Sequence, residues 1–263
     1  MCGIAGWIDF SRNLKEERAV IEAMTGTLSR RGPDAEGCYI SDHVLFGHRR
    51  LAVIDIEGGV QPMALSKDGN HYVLTYNGEL YNTEDIRSLL LERGHRFNGW
   101  SDTEVLLHAY AEWGDGCVQY LNGIFAFAVW DAQNQRVFLA RDRMGIKPLF
   151  YALRGSSLVF GSELKALFKH PNVKPVIGDE GLAEVFAIGP ARTPGHGVFS
   201  DIFELKPGWS AVFSRGGFSA APYWELKSDS HPDDFDTTAE TVRFLVTDSV
   251  RRQLVSDVPP CVL

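Results

Sequence analysis

Apolar residues recur at helical spacing in several stretches of the chain. The first predicted helix carries Val20, Ile21, Met24 and Leu28 on one face and ends before the stop signal Gly32-Pro33. Ser101 and Glu104 form a capping-box pattern ahead of an apolar segment, which predicts another helix. Further helices are predicted near residues 86–90, 162–168, 179–187 and 241–254.

Other apolar runs are short and lie between turn signals, which is typical of strands. Residues 124–131 and 136–141 predict a hairpin around the polar turn Gln133-Asn134-Gln135, and the run Ile124 to Trp130 suits a buried strand. Further strands are predicted at residues 39–40, 44–46, 72–76, 149–151 and 158–161. Many short strands with a few helices between them indicate packed sheets flanked by helices.

Composition and charge exclude several classes of protein. The chain has 263 residues, of which 44% are hydrophobic, and this is enough to bury a sizeable core. Lys and Arg total 26 against 34 Asp and Glu, so the formal charge is −8, and we expect no nucleic-acid partner. No apolar run approaches the ~18 residues of a membrane helix, and residues 1–10 do not resemble a signal peptide, so a cytoplasmic location is expected.

The cysteines and histidines give no metal signature. The four cysteines, at positions 2, 38, 117 and 261, form no CxxC pair, and the eight histidines form no HExxH motif. We therefore predict neither a metal site nor a disulfide framework.

The C-terminal part of the chain predicts a change of domain. A polar stretch at residues 227–236 is typical of a linker, and the amphipathic helix that begins near Thr241 follows it. After Pro259-Pro260, the apolar residues Cys261-Val262-Leu263 are typical of the start of a strand. We interpret this ending as a cut through a longer protein.

Cys2 is a candidate nucleophile because of its position. Cysteine is small enough to permit removal of Met1, and the thiol would then lie beside its own α-amino group. An α-amine with a pKa of roughly 7.7–8.0 can accept the thiol proton near neutral pH. If Met1 stays in place, that nitrogen is locked in an amide and cannot act as a base. The alternative is a small buried hydrophobe near a chain end.

Motifs in the first two thirds of the chain carry a family resemblance. In chain order they are Cys2-Gly3-Ile4-Ala5-Gly6, Arg31-Gly32-Pro33-Asp34, Gly47-His48-Arg49-Arg50-Leu51-Ala52-Val53-Ile54-Asp55, Asn77-Gly78-Glu79-Leu80-Tyr81-Asn82, Ser101-Asp102-Thr103-Glu104, Arg141-Asp142-Arg143-Met144-Gly145-Ile146-Lys147-Pro148-Leu149 and Ser162-Glu163-Leu164-Lys165-Ala166. Together they resemble class II glutamine amidotransferases, and within that family the glutamine-hydrolysing asparagine synthetases. The related sugar-phosphate and purine amidotransferases share the Cys-Gly-Ile start but look different around residues 31–34 and after residue 50.

The resemblance implies the fold and the division into domains. It implies an α+β fold, the N-terminal nucleophile (Ntn) hydrolase sandwich, in which two antiparallel sheets lie between helical layers in the order αββα. Residues 1–210 would be the glutaminase domain, 211–236 its end and the linker, and 237–263 the truncated start of a synthetase domain.

The resemblance also implies the catalytic roles. Cys2 would attack the side-chain carbonyl of glutamine, and the Asn77 amide with the Gly78 N–H would form the oxyanion hole. Without the resemblance, Asn77-Gly78 is most typical of a tight turn. His48 is interpreted as structural, because the N-terminal amine would be the base.

Further residues would bind the substrate. Arg50 would bind the α-carboxylate of glutamine through its guanidinium fork, and the alternative is a solvated surface arginine. Asp102, aided by Glu79, would hold the α-ammonium group, although a residue just inside Ser101 also suits helix capping. Backbone groups of Leu51 and Val53 would line the pocket. The basic residues between Arg141 and Leu149 are expected to form salt bridges inside the fold.

The implied reaction is hydrolysis of L-glutamine to glutamate and ammonia through a Cys2 thioester, without a cofactor. In the resembled family, a C-terminal synthetase domain then uses ATP and Mg²⁺ to convert aspartate to asparagine, which this chain alone is not expected to do. That domain would be a partner, and a homodimer is a further expectation. The alternatives are another carboxylate acceptor (a peptidoglycan precursor or a natural product), an Ntn acylase or peptidase, and an unprocessed or inactive regulatory domain.

Overall fold

The computed structural model describes residues 1–189 and 191–258, so the strand predicted at 261–263 lies outside the described residues. The described strands form two six-stranded sheets in which all neighbours are antiparallel. They are β1 (Gly3–Asp9), β2 (Ala35–Ile40), β3 (Val44–Arg50), β4 (Met63–Lys67), β5 (Asn70–Leu80), β6 (Gly123–Asp131), β7 (Arg136–Arg141), β8 (Phe150–Arg154), β9 (Ser157–Gly161), β10 (Phe203–Glu204), β11 (Trp209–Ser214) and β12 (Gly217–Pro222). One sheet has the order β10-β8-β9-β1-β3-β2 and the other β12-β11-β7-β6-β5-β4.

Helices cover the outer face of each sheet. The described α-helices are α1 (Arg18–Gly26), α2 (Thr83–Glu92), α3 (Asp102–Trp113), α4 (Leu164–Leu167), α5 (Asp179–Ile188) and α6 (Phe235–Gln253). Helix α1 packs on β1 and β3 and α4 packs on β9, whereas α3 packs on β4 and β5 with α2 beside it. Across the described ranges, none of the helices combines the length and apolar composition that a membrane crossing needs.

The hydrophobic core has three layers. Strand β6 lies between two of them and contributes alternate side chains to each. Phe125, Phe127 and Val129 join the cluster beneath α2 and α3, while Ala126 and Ala128 face the cluster between the sheets. The third cluster lies between the first sheet and helices α1 and α4. Because both faces of β6 are buried, its sequence is a continuous apolar run instead of an alternating one. The predicted αββα sandwich is confirmed.

Most predicted elements form, and the differences have local causes. The hairpin of β6 and β7 forms as predicted, but the helix predicted at 162–168 shortens to the four residues of α4. Strand β1 was not predicted, because its glycines Gly3 and Gly6 are poor strand formers. Strands β11 and β12 were not predicted either. They extend the second sheet as far as Pro222.

Helix α6 presents an uncovered apolar face. It includes the predicted amphipathic segment, and its apolar residues Val242, Leu245, Val246 and Val250 are all more than half exposed. Its N-terminus is capped by Asp234, whose carboxylate accepts the N–H of Thr237 at 2.8 Å.

The stability of the fold is expected to fall between pH 6.5 and pH 4 because His48 is buried. Burial lowers the pKa of His48 to about 4, and its hydrogen bond to the carbonyl of Tyr76 opposes this only in part. As the pH falls, His48 therefore binds a proton in the unfolded chain before it does so in the folded chain. The contribution of neutral His48 to the free energy of unfolding is complete above pH 6.5 and is lost as the pH falls towards 4. Between pH 7 and pH 4.5 the free energy of unfolding should fall by about 2 kcal/mol less in His48→Gln than in the parent chain. Glutamine keeps a donor for the Tyr76 carbonyl.

The measurement is urea unfolding at pH 7 and pH 4.5. The control is His231→Gln, because His231 is exposed. An equal pH dependence in His48→Gln and the parent chain would contradict the assignment.

Candidate active site

One cavity of about 110 Å³ brings together every residue that the sequence predicts for the site. The predicted residues are Cys2, Arg50, Leu51, Val53, Asn77, Gly78, Glu79 and Asp102. The rest of its lining was not predicted and consists of Met1, Ile54, Gly59, Gln61, Tyr76, Thr103 and Lys147. The cavity lies where β1 begins, β3 and β5 end, and α3 begins.

The pairing of β1 with β3 sets the position of Cys2. Gly3 pairs with Arg49, so Cys2 lies beside the residues that follow the end of β3. The N–H of Leu51 donates to Cys2 Sγ at 3.4 Å, and the thiol points back to the Leu51 carbonyl at 3.7 Å. Burial raises the pKa of the Cys2 thiol, although the Leu51 hydrogen bond opposes the shift. The thiol therefore needs a base to react near neutral pH.

Two motifs that had no predicted role hold the segment around Cys2. Arg31 donates through Nε to the carbonyl of Cys2 at 2.8 Å and pairs with Glu163 at 3.2 Å. Ser162 accepts the N–H of Ile4 at 3.0 Å and returns its own N–H to the Ile4 carbonyl at 2.9 Å. These contacts tie the N-terminal segment to the start of α4, so they explain why such residues accompany Cys2 in the sequence.

Asn77 presents an unpartnered amide to the cavity. It is almost fully buried, and neither its Oδ1 nor its Nδ2 has a hydrogen-bond partner among the described residues. A buried amide without partners is costly, so its presence here suits a ligand that would supply the missing hydrogen bonds. The tight turn that was the alternative interpretation of Asn77-Gly78 does not form, because both residues lie within β5.

The N–H of Gly78 lies on the free edge of β5. The N–H of Tyr76 donates to Gln61 at 2.7 Å and that of Leu80 to Asp102 at 3.1 Å, both away from β6. Because strand N–H groups repeat with a period of two, the Gly78 N–H points to this same edge. Glycine is required here, since a Cβ would lie 2.4 Å from the carbonyl oxygen of Ile124.

Asp102 is a buried carboxylate without a cationic partner among the described residues. Its Oδ2 accepts the hydroxyl of Tyr76 at 2.9 Å and the N–H of Leu80. Burial raises the pKa of Asp102, and these hydrogen bonds oppose the shift. Such a carboxylate is suited to receive a cation inside the cavity.

Helix capping does not account for Asp102, because Ser101 caps α3 by accepting the N–H of Glu104 at 3.3 Å. The predicted capping box is only half formed. The Glu104 carboxylate accepts the N–H groups of Asn98 and Gly99, whereas the Ser101 N–H donates to Asp55 at 3.1 Å. The Asp102 side chain is therefore free to face the cavity.

Arg50 is buried, not solvated, and it shapes the loop that follows it. Its guanidinium donates to the carbonyl oxygens of Ile54 at 3.1 Å, Asp55 at 2.6 Å and Ile56 at 2.6 Å. Since a guanidinium has five N–H groups, two remain for a ligand. The backbone N–H and carbonyl of Leu51 both contact Cys2 Sγ, so these two groups are less available to a ligand.

Asp55 is a site-organising residue that the sequence did not single out. It is buried, with a left-handed φ of 49°. Its carboxylate accepts the N–H groups of Gly58 at 2.9 Å, Trp100 at 3.0 Å and Ser101 at 3.1 Å. Asp55 thereby joins the loop after β3 to the start of α3. The only sequence signal was its place at the end of the Gly47–Asp55 motif.

The basic segment that begins at the last residue of β7 divides into two roles. Arg141 pairs with Glu204 at 3.1 Å, which agrees with the expected internal salt bridging. Lys147 instead lines the cavity, is buried and forms no ion pair with a described residue. Burial lowers the pKa of Lys147, while nearby Glu79 opposes the shift. The cavity thus contains a cationic side chain that sequence reasoning assigned elsewhere.

Comparisons with known proteins give matches over most of the chain. The family model for the glutamine amidotransferase domain matches residues 1–224. The chain is 54% identical over 261 residues to asparagine synthetase [glutamine-hydrolyzing] 3 of Bacillus subtilis (strain 168), covering 99% of this chain and 42% of that protein. It is 36% identical to asparagine synthetase [glutamine-hydrolyzing] 2 of the same organism, covering 98% of this chain and 36% of that protein. The chain therefore spans less than half the length of these relatives.

A solved structure shares the fold. It is the glutamine phosphoribosylpyrophosphate amidotransferase from B. subtilis complexed with ADP and GMP, with a TM-score of 0.62 and 20% identity over 86% of this chain and 50% of that one. At this identity the likeness speaks for the architecture alone. The family model, in contrast, matches most of the chain by its sequence. This match shows that the chain belongs to the glutamine amidotransferase domain family.

Proposed function

We propose that the chain hydrolyses the side-chain amide of L-glutamine to glutamate and ammonia, with Cys2 as the nucleophile. The observation that carries the proposal is the Asn77 amide, which has no hydrogen-bond partner among the described residues, beside the edge-facing N–H of Gly78 in the same cavity as the Cys2 thiol. Donors fixed in this way stabilise the oxyanion that forms when a thiolate attacks an amide carbonyl. Hydrolysis by this route needs no cofactor.

The proposed chemistry begins once Met1 has been removed. The α-amine of Cys2 takes the thiol proton, sulfur bonds to the amide carbon, and the carbonyl oxygen becomes an oxyanion held by Asn77 and Gly78. The carbon–nitrogen bond then breaks as the α-ammonium group returns a proton to the departing nitrogen, which leaves as ammonia. Water attacks the γ-glutamyl thioester, the amine accepts a proton from it, and glutamate leaves as the thiol is restored.

Charge in the cavity favours a free amino acid as the substrate. We propose that Asp102 and Glu79 hold the α-ammonium group and that the two remaining N–H groups of Arg50 hold the α-carboxylate. This assignment gives Asp102 the cation that no described residue supplies. An acylase or peptidase substrate would lack a free α-ammonium group and would leave that carboxylate uncompensated.

We further propose that the ammonia serves an ATP-dependent asparagine synthetase. The proposal is supported by the 54% identity to a glutamine-hydrolysing asparagine synthetase and by the uncovered apolar face of α6, which suits a C-terminal synthetase domain. ATP and Mg²⁺ would act in that domain, with aspartate as the acceptor. A cytoplasmic location and a homodimer belong to the same proposal. Another carboxylate acceptor remains the second candidate, because the acceptor would bind outside this cavity.

The test is glutamate release from L-glutamine, with the intact mass of the same sample. We expect a chain that has lost Met1 to release glutamate and to reject N-acetylglutamine by a factor of at least about 100, because Asp102 would then face a neutral amide. A processed chain that ignores glutamine, or prefers the acetylated substrate, would overturn the proposal. An inactive chain that retains Met1 would be treated with methionine aminopeptidase, and it must then gain activity.

A further inference from the structure

The segment after α6 lies across the loop that follows β3. The backbone N–H of Asp257 donates to the carbonyl of Val53 at 3.0 Å. The Asp257 carboxylate accepts the backbone N–H of Asp55 at 2.7 Å and the indole N–H of Trp100 at 3.3 Å. One residue thus contacts both the loop that carries the substrate-binding groups and the segment that leads into α3.

The substrate loop depends on such contacts for its shape. Residues 51–60 contain no helix or strand, so regular backbone hydrogen bonds do not hold them. Arg50 holds the loop carbonyls from the cavity side, and the Asp55 carboxylate holds it to Ser101. The backbone N–H of Asp55 is left for an outside acceptor, which Asp257 provides. Asp55 also has an unfavourable left-handed backbone, which persists only when its surroundings hold it.

A second contact holds the C-terminal segment in place. Arg252, near the end of α6, pairs with Asp85 of α2 at 3.1 Å and with Asp248 on its own helix at 2.9 Å. A cavity of about 320 Å³ lies beneath this segment and shares Ile54 and Asp102 with the candidate active site. Asp257 therefore contacts the loop that contributes Val53 and Ile54 to the substrate cavity.

We propose that Asp257 is a positioning residue for glutamine binding. By fixing the Asp55 N–H and the Val53 carbonyl, it keeps the loop in the shape in which Arg50 can bind the α-carboxylate. Glutamine affinity then depends on docking of the segment after α6, although that segment does not line the substrate cavity. The inference rests on the proposed function for its effect on affinity, whereas its effect on the loop is independent of activity.

The experiment compares Asp257→Ala and Asp257→Asn with Asp233→Ala in the full chain. Asp233 is a suitable control because it is exposed and forms no side-chain hydrogen bond or ion pair with a described residue. We measure amide hydrogen exchange across residues 51–60 and the KM and kcat for glutamine. A lost hydrogen bond to a charged acceptor typically changes an equilibrium by roughly tenfold or more.

We expect Asp257→Ala to speed exchange at the Asp55 amide about tenfold and to raise KM by a similar factor, with kcat within about twofold. In Asp257→Asn the KM should return close to the parent value, because the side-chain oxygen of asparagine can still accept the Asp55 N–H. Unchanged exchange, faster exchange without a rise in KM, or equal effects in Asp233→Ala would each overturn the inference. If the parent chain proves inactive, the proposed function fails, and the exchange result alone decides whether Asp257 holds the loop.

Discussion

Cys2→Ala is expected to abolish glutamate release, lowering kcat by at least on the order of 10⁴-fold. No other described cysteine lines the cavity, so no second thiol can take over as nucleophile. The loss should appear in kcat, because the substrate would still be held by its α-amino and α-carboxylate groups. Glutamine binding measured by calorimetry should therefore persist in the variant.

Cys38→Ala is the matched control for this prediction. Cys38 lies on the edge strand β2 and is exposed, so its replacement should leave kcat and KM unchanged. Intact mass after mixing with glutamine adds a direct readout, since the γ-glutamyl adduct should form on the parent chain and be absent from Cys2→Ala. Measurable turnover by purified Cys2→Ala would contradict the mechanism.

Asn77→Ala is expected to lower kcat by about 10²–10³-fold while KM changes less than about threefold. The amide would donate to the oxygen mainly after it gains charge, so its loss affects the transition state more than the bound substrate. Removing an unpartnered buried amide should also leave the thermal midpoint unchanged or raise it. Loss of activity without loss of stability would distinguish an oxyanion donor from a structural residue.

Asn172→Ala provides the control, because its exposed side chain makes no hydrogen bond to a described residue. Steady-state kinetics and thermal unfolding on the two variants complete the comparison. A rise in KM at constant kcat for Asn77→Ala would show ground-state binding instead, and a lowered midpoint would show that Asn77 supports the fold.

The sequence assigned residues to a candidate site without predicting all of the elements that build it. The assigned residues line one cavity. Strand β1 was missed although Cys2 directly precedes it, since Gly3 and Gly6 carry no strand signal. Asn77-Gly78 was a turn by local preference, but pairing with β6 keeps both in a strand. Tertiary pairing overrode the local propensity at both places.

Lys147 and Asp55 show a second limit of sequence reasoning. Lys147 and Arg141 belong to the same basic segment, but Arg141 forms the expected salt bridge and Lys147 lines the cavity. Nothing in the local sequence distinguishes these two roles. Asp55 was visible only as the end of a motif, whereas its role depends on Trp100 and Ser101. Hydrogen bonds between distant segments leave no periodic trace in the sequence.

The sequence by itself indicated the kind of chemistry and the αββα architecture through motifs that resemble a known family. Its apolar periodicity, a local property, indicated only packed sheets flanked by helices. Tertiary structure alone decided that the Asn77 amide has no hydrogen-bond partner in the described part of the chain, that Tyr76 donates to Asp102, and that Asp257 reaches Asp55 across 202 positions. The physical reason is that such contacts form only when the paired sheets and packed helices bring remote segments within hydrogen-bond distance.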